Sequence, residues 1–395
     1  MHRSNIVLTF AVIIAAGCSQ QGLPSSPSIT NVPGAAASQR LRDAATYKNL
    51  YSFQSNPDGG SPVGEFASLD GKLYGATMHG GNNHNGTVYS IPPDGKESVV
   101  YSFPGGADGA LPEGGLWTAK GKLFGTTRAR GLHDAGTVFV IDPKSGQRLA
   151  YSFKNAPDGD APVGDLWGFP NDAVIYGTTS FGGEDNVGTV YYSDPSKNFE
   201  DVIYNFKMKR DGARPLAGLV LMNTTLYGTT ADGGAYGFGT VYAIEIGGRE
   251  RVVHDFRGPP SDGAAPQSQL AVMDGKLYGT TPHGGGANGG TLLMVTPNGA
   301  EQLLVNFKRA SGSAPVAGVT VYNKTLYGTT SGGGSADAGT IFAFSSGALT
   351  TLHTFKAGAD GREPLSRLTA FNGVLYGTTY LGGTEGRGTV FALTP

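Results

Sequence analysis

The chain has 395 residues, a net charge of −2 and only 15% charged residues, which argues against nucleic-acid binding, since that requires a basic face. Glycine accounts for 64 residues, roughly twice its usual share of about 7%. Glycine together with frequent Tyr, Phe, Val and Thr, and without long apolar stretches at helical spacing after the N-terminus, predicts short strands joined by tight turns.

The N-terminus resembles a bacterial lipoprotein signal. An apolar run from Ile6 to Ala16 is too short to span a bilayer and fits a secretory signal. It leads to Cys18, the only cysteine, which lies where such signals carry the lipidated residue. Ala15 stands where Leu is usual, so cleavage without lipidation is the alternative. We expect a signal peptide over residues 1–17 and a lipid anchor at Cys18.

Residues 18–43 are rich in Ser, Pro, Ala and Gln and show no period, which predicts a flexible tether behind the anchor. Ser19 resembles signals that direct lipoproteins to the outer membrane. One acyl chain binds a membrane only marginally, whereas a multiply acylated cysteine is a stable anchor. The sequence therefore predicts a protein of the bacterial cell envelope, in the outer membrane or otherwise periplasmic or secreted, with a folded domain over residues 44–395.

One pattern dominates that domain. Leu-Tyr-Gly-Thr-Thr, usually followed by Gly-Gly, four variable residues and Gly-Thr, recurs at intervals of about fifty residues, which indicates a repeat architecture. Its aromatic position is held, in chain order, by Tyr74, Phe124, Tyr176, Tyr227, Tyr278, Tyr327 and Tyr376.

A single repeat, residues 108–153, predicts four strands. Lys120-Gly121 and the Asp-Gly or Asn-Gly pairs of other repeats are strong signals for tight hairpins. The predicted strands are Gly115–Ala119, Lys122–Thr127, Gly136–Ile141 and Leu149–Phe153. Four short antiparallel strands in about fifty residues correspond to one propeller blade of kelch-like length.

The two ends of the domain predict a closed ring. The last repeat stops after its third strand at Leu393, and an unpaired strand, Thr46–Phe53, precedes the first repeat. An open solenoid would instead require polar capping repeats at both ends. The sequence therefore predicts an all-β fold, a seven-bladed β-propeller of four-stranded antiparallel blades, in which the N-terminal strand completes the last blade.

These repeats resemble the bacterial "GloVer" choice-of-anchor tandem-repeat family, whose members join such repeats to varied surface anchors. The resemblance rests on Leu-Tyr-Gly-Thr-Thr, Gly-Gly, Gly-Thr-Val-Tyr/Phe and the Tyr-Ser-Phe between repeats, and it covers about 350 residues. It implies an exported propeller and supplies no catalytic residues. Two blades depart from the pattern: blade 2 has Arg128-Ala129-Arg130-Gly131 in place of Gly-Gly, and blade 6 has Ser311 in place of Asp.

Function is expected where the blades differ, because residues common to all blades set the backbone and the packing. The loops between second and third strands share one propeller face with the blade-to-blade connections, and ligands usually gather there. We expect a ligand site at the departures of blade 2, formed by Arg128, Arg130, His133 and Asp134. The alternative is a solvated rim.

Two tryptophans extend this candidate site. Trp117 and Trp167 hold equivalent positions on the first strands of adjacent blades, and we expect both to face one groove between those blades near the axis. Aromatic area beside polar groups suits a sugar or a peptide. Ordinary packing between blades is the alternative.

Motifs for catalysis and cofactors are lacking: the sequence holds no Gly-x-Ser-x-Gly elbow, phosphate loop, dinucleotide fingerprint or HExxH spacing. We expect no cofactor and no metal site. The favoured function is a monomeric, surface-anchored propeller that binds a protein, peptide or glycan through its loop face without catalysis and reaches the membrane only through its lipid. The alternatives are an extracytoplasmic hydrolase or lyase acting on a polysaccharide or peptide at the propeller axis, and a structural envelope component.

Overall fold

The computed structural model describes residues 33–146 and 148–395. The predicted signal peptide and Cys18 lie outside these residues. The described chain forms seven four-stranded antiparallel sheets that are the blades of a β-propeller, so the predicted fold is confirmed. No helix within the described ranges is long and apolar enough to cross a membrane.

The strands of each blade follow one another from the axis to the rim. Those of blades 1 to 4 are, in order, Gly60–Leu69, Lys72–His79, Thr87–Ile91, Ser98–Ser102; Trp117–Ala119, Lys122–Thr127, Thr137–Ile141, Arg148–Ser152; Trp167–Gly168, Ile175–Gly182, Thr189–Asp194, Phe199–Asn205; and Val220–Met222, Thr225–Thr230, Thr240–Glu245, Glu250–Asp255. Those of blades 5 to 7 are Ala271–Met273, Lys276–Thr281, Thr291–Val295, Glu301–Asn306; Thr320–Tyr322, Thr325–Thr330, Thr340–Ser345, Ala348–Thr354; and Thr369–Phe371, Val374–Thr379, Thr389–Thr394, Thr46–Ser52. Short extra pieces are the strands Gly159–Pro162, Gly263–Ala264 and His283–Gly284 and the single 3₁₀ turns Gly106–Asp108, Pro195–Lys197 and Gly358–Asp360.

The N-terminal strand closes the ring. Thr46–Ser52 pairs antiparallel with Thr389–Thr394, in a register that runs from Thr46 opposite Thr394 to Ser52 opposite Thr389. Phe53, immediately after this strand, is fully buried. The predicted completion of blade 7 by the N-terminal strand is therefore confirmed.

Turn and strand residues of the repeat have separate structural roles. Lys120 and Gly121 have φ values of 51° and 71°, which is the left-handed pair that a type I′ hairpin requires. The last Thr of Leu-Tyr-Gly-Thr-Thr and the Thr of Gly-Thr face each other across the second and third strands, and their hydroxyls lie 2.9 Å apart in Thr230 and Thr240. The same buried threonine pair occurs in all seven blades.

The hydrophobic core lies between the blades. In the interface of blades 3 and 4, Phe206 and Tyr242 meet edge to face with ring centroids 5.0 Å apart. Gly228 precedes the threonines of the repeat, and a Cβ there would overlap the Tyr242 hydroxyl, so this close packing requires glycine. Each fully buried aromatic side chain contributes about 1.5–3 kcal/mol, which makes the blade interfaces the main source of stability.

A helix occupies part of the segment predicted to be a flexible tether. Residues Pro33–Ala44 are α-helical, so the prediction of an unstructured tether is wrong for positions 33–43. The sequence there is rich in Ala with Gln, Arg and Leu, which favour helix, and it begins with Pro. Leu41 and Ala45 pack against the core between blades 6 and 7, and this tertiary contact stabilises a helix too short to persist alone.

The propeller has two distinct faces. The loop face carries the loops between second and third strands and the connections between blades. The hairpin face carries the tight turns between first and second strands, such as Lys120-Gly121, and the turns between third and fourth strands.

Candidate functional site

A cavity of about 580 Å³ opens on the propeller axis. Residues of all seven blades line it, so every repeat contributes to this cavity. By blade, its lining includes Val63 and Met78; Glu113 and Arg128; Val163, Asp165 and Phe181; Arg214 and Leu216; Gln267 and Gln269; Val316; and Leu365, Arg367 and Tyr380. We call this space the axial cavity.

The wall of the axial cavity is mainly apolar. It is formed by the residue that follows the proline of each repeat, which in blades 2 to 7 lies four residues before the first strand. That position is held, from blade 1 to blade 7, by Val63, Glu113, Val163, Leu216, Gln267, Val316 and Leu365. Five of the seven side chains are aliphatic, so at this level a ligand would meet apolar side chains from five blades.

The floor is polar and comes from the position two residues further along. From blade 1 to blade 7 that position holds Glu65, Gly115, Asp165, Gly218, Gln269, Gly318 and Arg367, which together we call the polar belt. The lining residues of the cavity extend no further toward the hairpin face than this belt. Identical repeat positions thus carry an acid, an amide and a guanidinium in different blades.

Arg367 connects the belt across several blades. Its Nη1 lies 3.4 Å from Glu65 Oε2 of blade 1 and donates to Gln269 Oε1 of blade 5 at 2.6 Å. The intervening blade 6 has Gly318 in the belt, where a Cβ would overlap the Gln269 carbonyl oxygen. Glycine at this position therefore allows the backbone of Gln269 to approach blade 6 closely.

The remaining belt groups also bond to neighbouring blades. Gln269 Nε2 donates to the carbonyl of Leu219 at 2.7 Å, and Asp165 Oδ1 accepts from the backbone N–H of Gly115. Because each polar side chain is held by another blade, the belt is preorganised, and a ligand would not have to order it.

The two belt carboxyl groups share a perturbed electrostatic environment. Burial raises the pKa of Glu65, the nearby Asp165 raises it further, and Arg367 lowers it. Burial likewise raises the pKa of Asp165, against the lowering effect of the Gly115 N–H and Arg367. One guanidinium thus acts on two partly desolvated carboxyl groups, of which Asp165 lines the axial cavity and Glu65 does not.

The mouth of the cavity carries charged pairs and aromatic side chains. Arg128 lies 3.2 Å from Glu113, and Arg214 lies 3.0 Å from Asp232, with all four side chains at least 29% exposed. Met78, Phe181 and Tyr380 complete the rim from blades 1, 3 and 7. Both signs of charge and aromatic area are therefore within reach of a ligand at the entrance.

The two predicted tryptophans do not share a groove. Trp117 packs in the core between blades 2 and 3, where its ring lies against Gly168, whereas Trp167 packs between blades 3 and 4 against Phe169, with ring centroids 4.9 Å apart. Each ring faces the blade that follows its own, so equivalent positions place the two rings in successive interfaces. Neither lines the axial cavity. The prediction of one shared groove is wrong.

The structure also places the residues of the site predicted in blade 2 apart from one another. Trp117 is paired with Phe124, whereas Arg128 N bonds to Leu111 O, so about four residues, roughly 13 Å, separate the tryptophan from the arginine along the second strand. Of the four polar residues proposed there, only Arg128 lines the cavity.

The other three polar residues lie on the exposed loop outside the cavity. Arg130 has a φ of 65° where the other blades use glycine, and its guanidinium is 3.9 Å from Asp134. His133 is exposed, and its carbonyl accepts from Asn155 Nδ2 at 3.1 Å. Their role in ligand binding remains a prediction.

Glu65, Asp165, Gln269 and Arg367 were not among the candidates from sequence. An alignment of the seven repeats could have revealed them, because one position of the repeat alternates between a polar residue and glycine from blade 1 to blade 7. Within residues 33–146 and 148–395, no group of three or more His, Cys, Asp or Glu side chains is arranged to hold a metal ion.

Comparison with known sequences identifies the repeat. Residues 34–229 and 201–391 match the Gloeobacter/Verrucomicrobia repeat, which accounts for nearly the whole propeller. The chain belongs to this family. The expected resemblance is therefore confirmed, while no curated protein matches the chain.

Solved structures share the fold of this Gloeobacter/Verrucomicrobia repeat protein at low identity. A puromycin hydrolase is 15% identical with a TM-score of 0.53, and the match covers 84% of this chain and 52% of the hydrolase. An oligogalacturonate lyase from Vibrio parahaemolyticus is 9% identical with a TM-score of 0.53, over 88% of this chain and 93% of the lyase. A puromycin-hydrolyzing peptidase from Mycobacterium tuberculosis is 11% identical with a TM-score of 0.51, over 87% and 50%. The chain thus spans about half the length of the two puromycin-hydrolysing proteins, and these similarities show the propeller fold alone.

Proposed function

We propose that this protein is a non-catalytic binding propeller whose axial cavity takes a short peptide or the end of a peptide chain. The observation that carries the proposal is the convergence of the differing repeat positions on one cavity. Its 580 Å³ lies within the range of about 300–1,000 Å³ typical of small-molecule pockets. The residues common to all blades build the sheets, whereas two repeat positions that differ from blade to blade contribute to the lining of this space.

The chemistry of the lining favours a peptide over a neutral glycan. The aliphatic wall offers apolar contact, while Arg128, Arg214, Glu113 and Asp165 offer both signs of charge. A peptide combines apolar side chains with an amine, a carboxylate and backbone amides, and so matches every part of this lining. A neutral sugar has no charged group to interact with these side chains and no apolar side chain to cover the aliphatic wall.

Affinity selection from a pool of random tetrapeptides tests this function. We expect wild type to retain a subset of peptides, and Leu216→Trp/Val316→Trp, which fills the cavity, to weaken their binding at least about ten-fold in calorimetric titration. Trp117→Phe is the matched control, since that side chain packs between blades outside the cavity, and it should bind as wild type does. Equal binding by the cavity-filled variant would refute a site on the axis.

A hydrolase or lyase acting at the axis is the second candidate. It is favoured by the belt, in which burial raises the pKa of two carboxyl groups near one guanidinium, because a raised pKa makes a carboxyl group a better general acid. The same tetrapeptide incubation discriminates the two functions by mass spectrometry. Intact masses support binding alone, whereas products that vanish in Glu65→Gln and Asp165→Asn would assign catalysis.

We also propose that the propeller is attached to the bacterial cell envelope through a lipid on Cys18. The supporting observation is the apolar run from Ile6 to Ala16 ahead of the only cysteine. Cys18→Ala should move the protein from the detergent-soluble membrane fraction to the aqueous fraction. A variant that stays with the membrane would contradict the anchor.

A further inference from the structure

Exposed apolar side chains and unpaired cations meet on the loop face of blade 4. The loop at residues 235–238 is the only one of the seven equivalent loops that contains aromatic residues, and the connection before it, residues 207–210, is the only blade connection with three cations. We call Met208, Tyr236 and Phe238, with Lys207, Lys209, Arg210 and Arg257, the blade 4 patch.

The apolar part of the patch is exposed yet held in place. Met208, Tyr236 and Phe238 are 47%, 53% and 40% exposed. The Arg257 guanidinium lies 5.7 Å from the centre of the Tyr236 ring, a cation–π contact, and the Phe238 ring packs on Gly258, where a Cβ would lie 2.7 Å away. Aromatic, Met and Arg side chains in one rigid surface are the residues most enriched in protein interfaces.

Backbone hydrogen bonds fix the two loops against each other. Gly234 N donates to Met208 O at 2.9 Å, and Met208 N donates to Gly212 O at 3.0 Å. The loop is also capped, since Ala235 N donates to Asp255 Oδ1 at 2.7 Å. A partner would therefore meet a surface whose backbone is already ordered, which lowers the entropic cost of association.

The charge of the patch is uncompensated. Lys207, Lys209 and Arg210 are all exposed, and within the described residues they form no ion pair. Of the neighbouring carboxylates, Asp232 pairs with Arg214, Asp255 accepts from the Ala235 N–H, and Asp211 is buried beneath the connection, where it accepts from Tyr204.

We infer that the blade 4 patch binds an acidic segment of another protein that also carries apolar side chains. Charge complementarity selects the acidic groups, and the exposed aromatic surface selects the apolar ones. A membrane surface fits less well, because Tyr236 and Phe238 lie back against Arg257 and Gly258 and do not project as bilayer-inserting side chains do. The patch lies outside the axial cavity, so this inference goes beyond the proposed peptide site.

Fluorescence anisotropy with the full chain tests the inference. The probes are a labelled dodecapeptide of alternating glutamate and leucine and its lysine–leucine counterpart, with anionic phosphatidylserine vesicles as a third arm. We expect the acidic peptide to bind at least about ten-fold more tightly than the basic one, and more weakly as salt rises.

Three variants locate the binding. Lys209→Glu/Arg210→Glu and Tyr236→Ser/Phe238→Ser should each weaken the acidic peptide about ten-fold or more. Lys276→Glu/Lys324→Glu, which reverses two exposed charges on the hairpin face, is the matched control and should bind as wild type does. Unchanged affinity in either patch variant, equal affinity for both peptides, or binding to vesicles without binding to the acidic peptide would overturn the inference. The cavity-filled variant Leu216→Trp/Val316→Trp should bind the acidic peptide normally, which separates this test from that of the axial site.

Discussion

At the scale of single residues, a carboxyl pair between blades 2 and 3 links stability to pH. The Tyr151 hydroxyl donates to Asp158 at 2.9 Å and lies 3.3 Å from Glu200 Oε2. Burial, reinforced by the neighbouring Asp158, raises the pKa of Glu200 to about 9. Glu97 and Glu250 hold equivalent positions in blades 1 and 4, and burial raises the pKa of each to about 7.

These groups predict that the protein loses stability as the pH rises. The folded protein retains protons on them that the unfolded chain releases above its ordinary pKa of about 4.5, so the unfolding free energy falls as the pH rises from there to between about 7 and 9. Glu200→Gln removes the largest of these effects. At pH 8 the variant should be more stable than wild type by up to about 5 kcal/mol, because pH 8 lies about 3.5 pH units above the unfolded pKa and each pH unit corresponds to about 1.36 kcal/mol, whereas at pH 4 the two should be equal.

Scanning calorimetry between pH 4 and 9 checks this prediction. The exposed Glu184 of the same blade supplies the control, since Glu184→Gln should leave the pH dependence of the melting temperature as it is in wild type. A Glu200→Gln variant that melts in parallel with wild type over the whole range would show that Glu200 is ionised in the folded protein.

The residue-level pattern of the repeat was only partly predictable. Turn pairs such as Lys120-Gly121 can be predicted from the local sequence, because only certain residues tolerate two successive positive φ values. The packing partners of a tryptophan side chain, in contrast, are set by the arrangement of the blades and not by the neighbouring residues in the sequence. Trp117 and Trp167 are equivalent in sequence, and each side chain packs in the interface between its own blade and the next one.

At the scale of elements, the N-terminal strand holds the ring closed. Its Tyr47 stacks on His353 of blade 6 with ring centroids 3.6 Å apart, and its hydroxyl donates to the Asp360 carbonyl at 3.1 Å. Thr46–Ser52 therefore supplies the outer strand of blade 7 and a packing surface for blade 6. The strand was predictable because the repeat count left it without a partner, whereas the preceding helix was missed because its stability depends on contacts with blade 6.

Removing this strand should open the ring. Deleting residues 44–53 removes the fully buried Phe53 and the ladder to Thr389–Thr394, and we expect the melting temperature to fall by more than about 10 °C. A synthetic peptide of residues 44–53 added in trans should restore part of the loss. Deletion of residues 33–43 is the matched control, with a smaller effect. A strand-deleted protein as stable as wild type would contradict closure by the N-terminal strand.

At the scale of the whole molecule, the site exists only because the ring closes. Glu65 and Arg367 are 302 residues apart in the chain and meet at the axis, so neither is conspicuous within its own repeat. The period, the fold and the closure follow from the sequence, since each repeats or completes a pattern. The polar belt, in contrast, can be recognised only when the seven equivalent positions are placed around one axis and the residues at these positions are compared.

The central claim is that the differing positions of the seven blades form one binding site on the axis. The most direct test is a crystal structure of the protein soaked with a tetrapeptide selected by wild type. We predict difference density inside the axial cavity, above the polar belt and within contact distance of Arg128 and Leu216. Density for the peptide at the blade interfaces or on the hairpin face, with none on the axis, would contradict the claim.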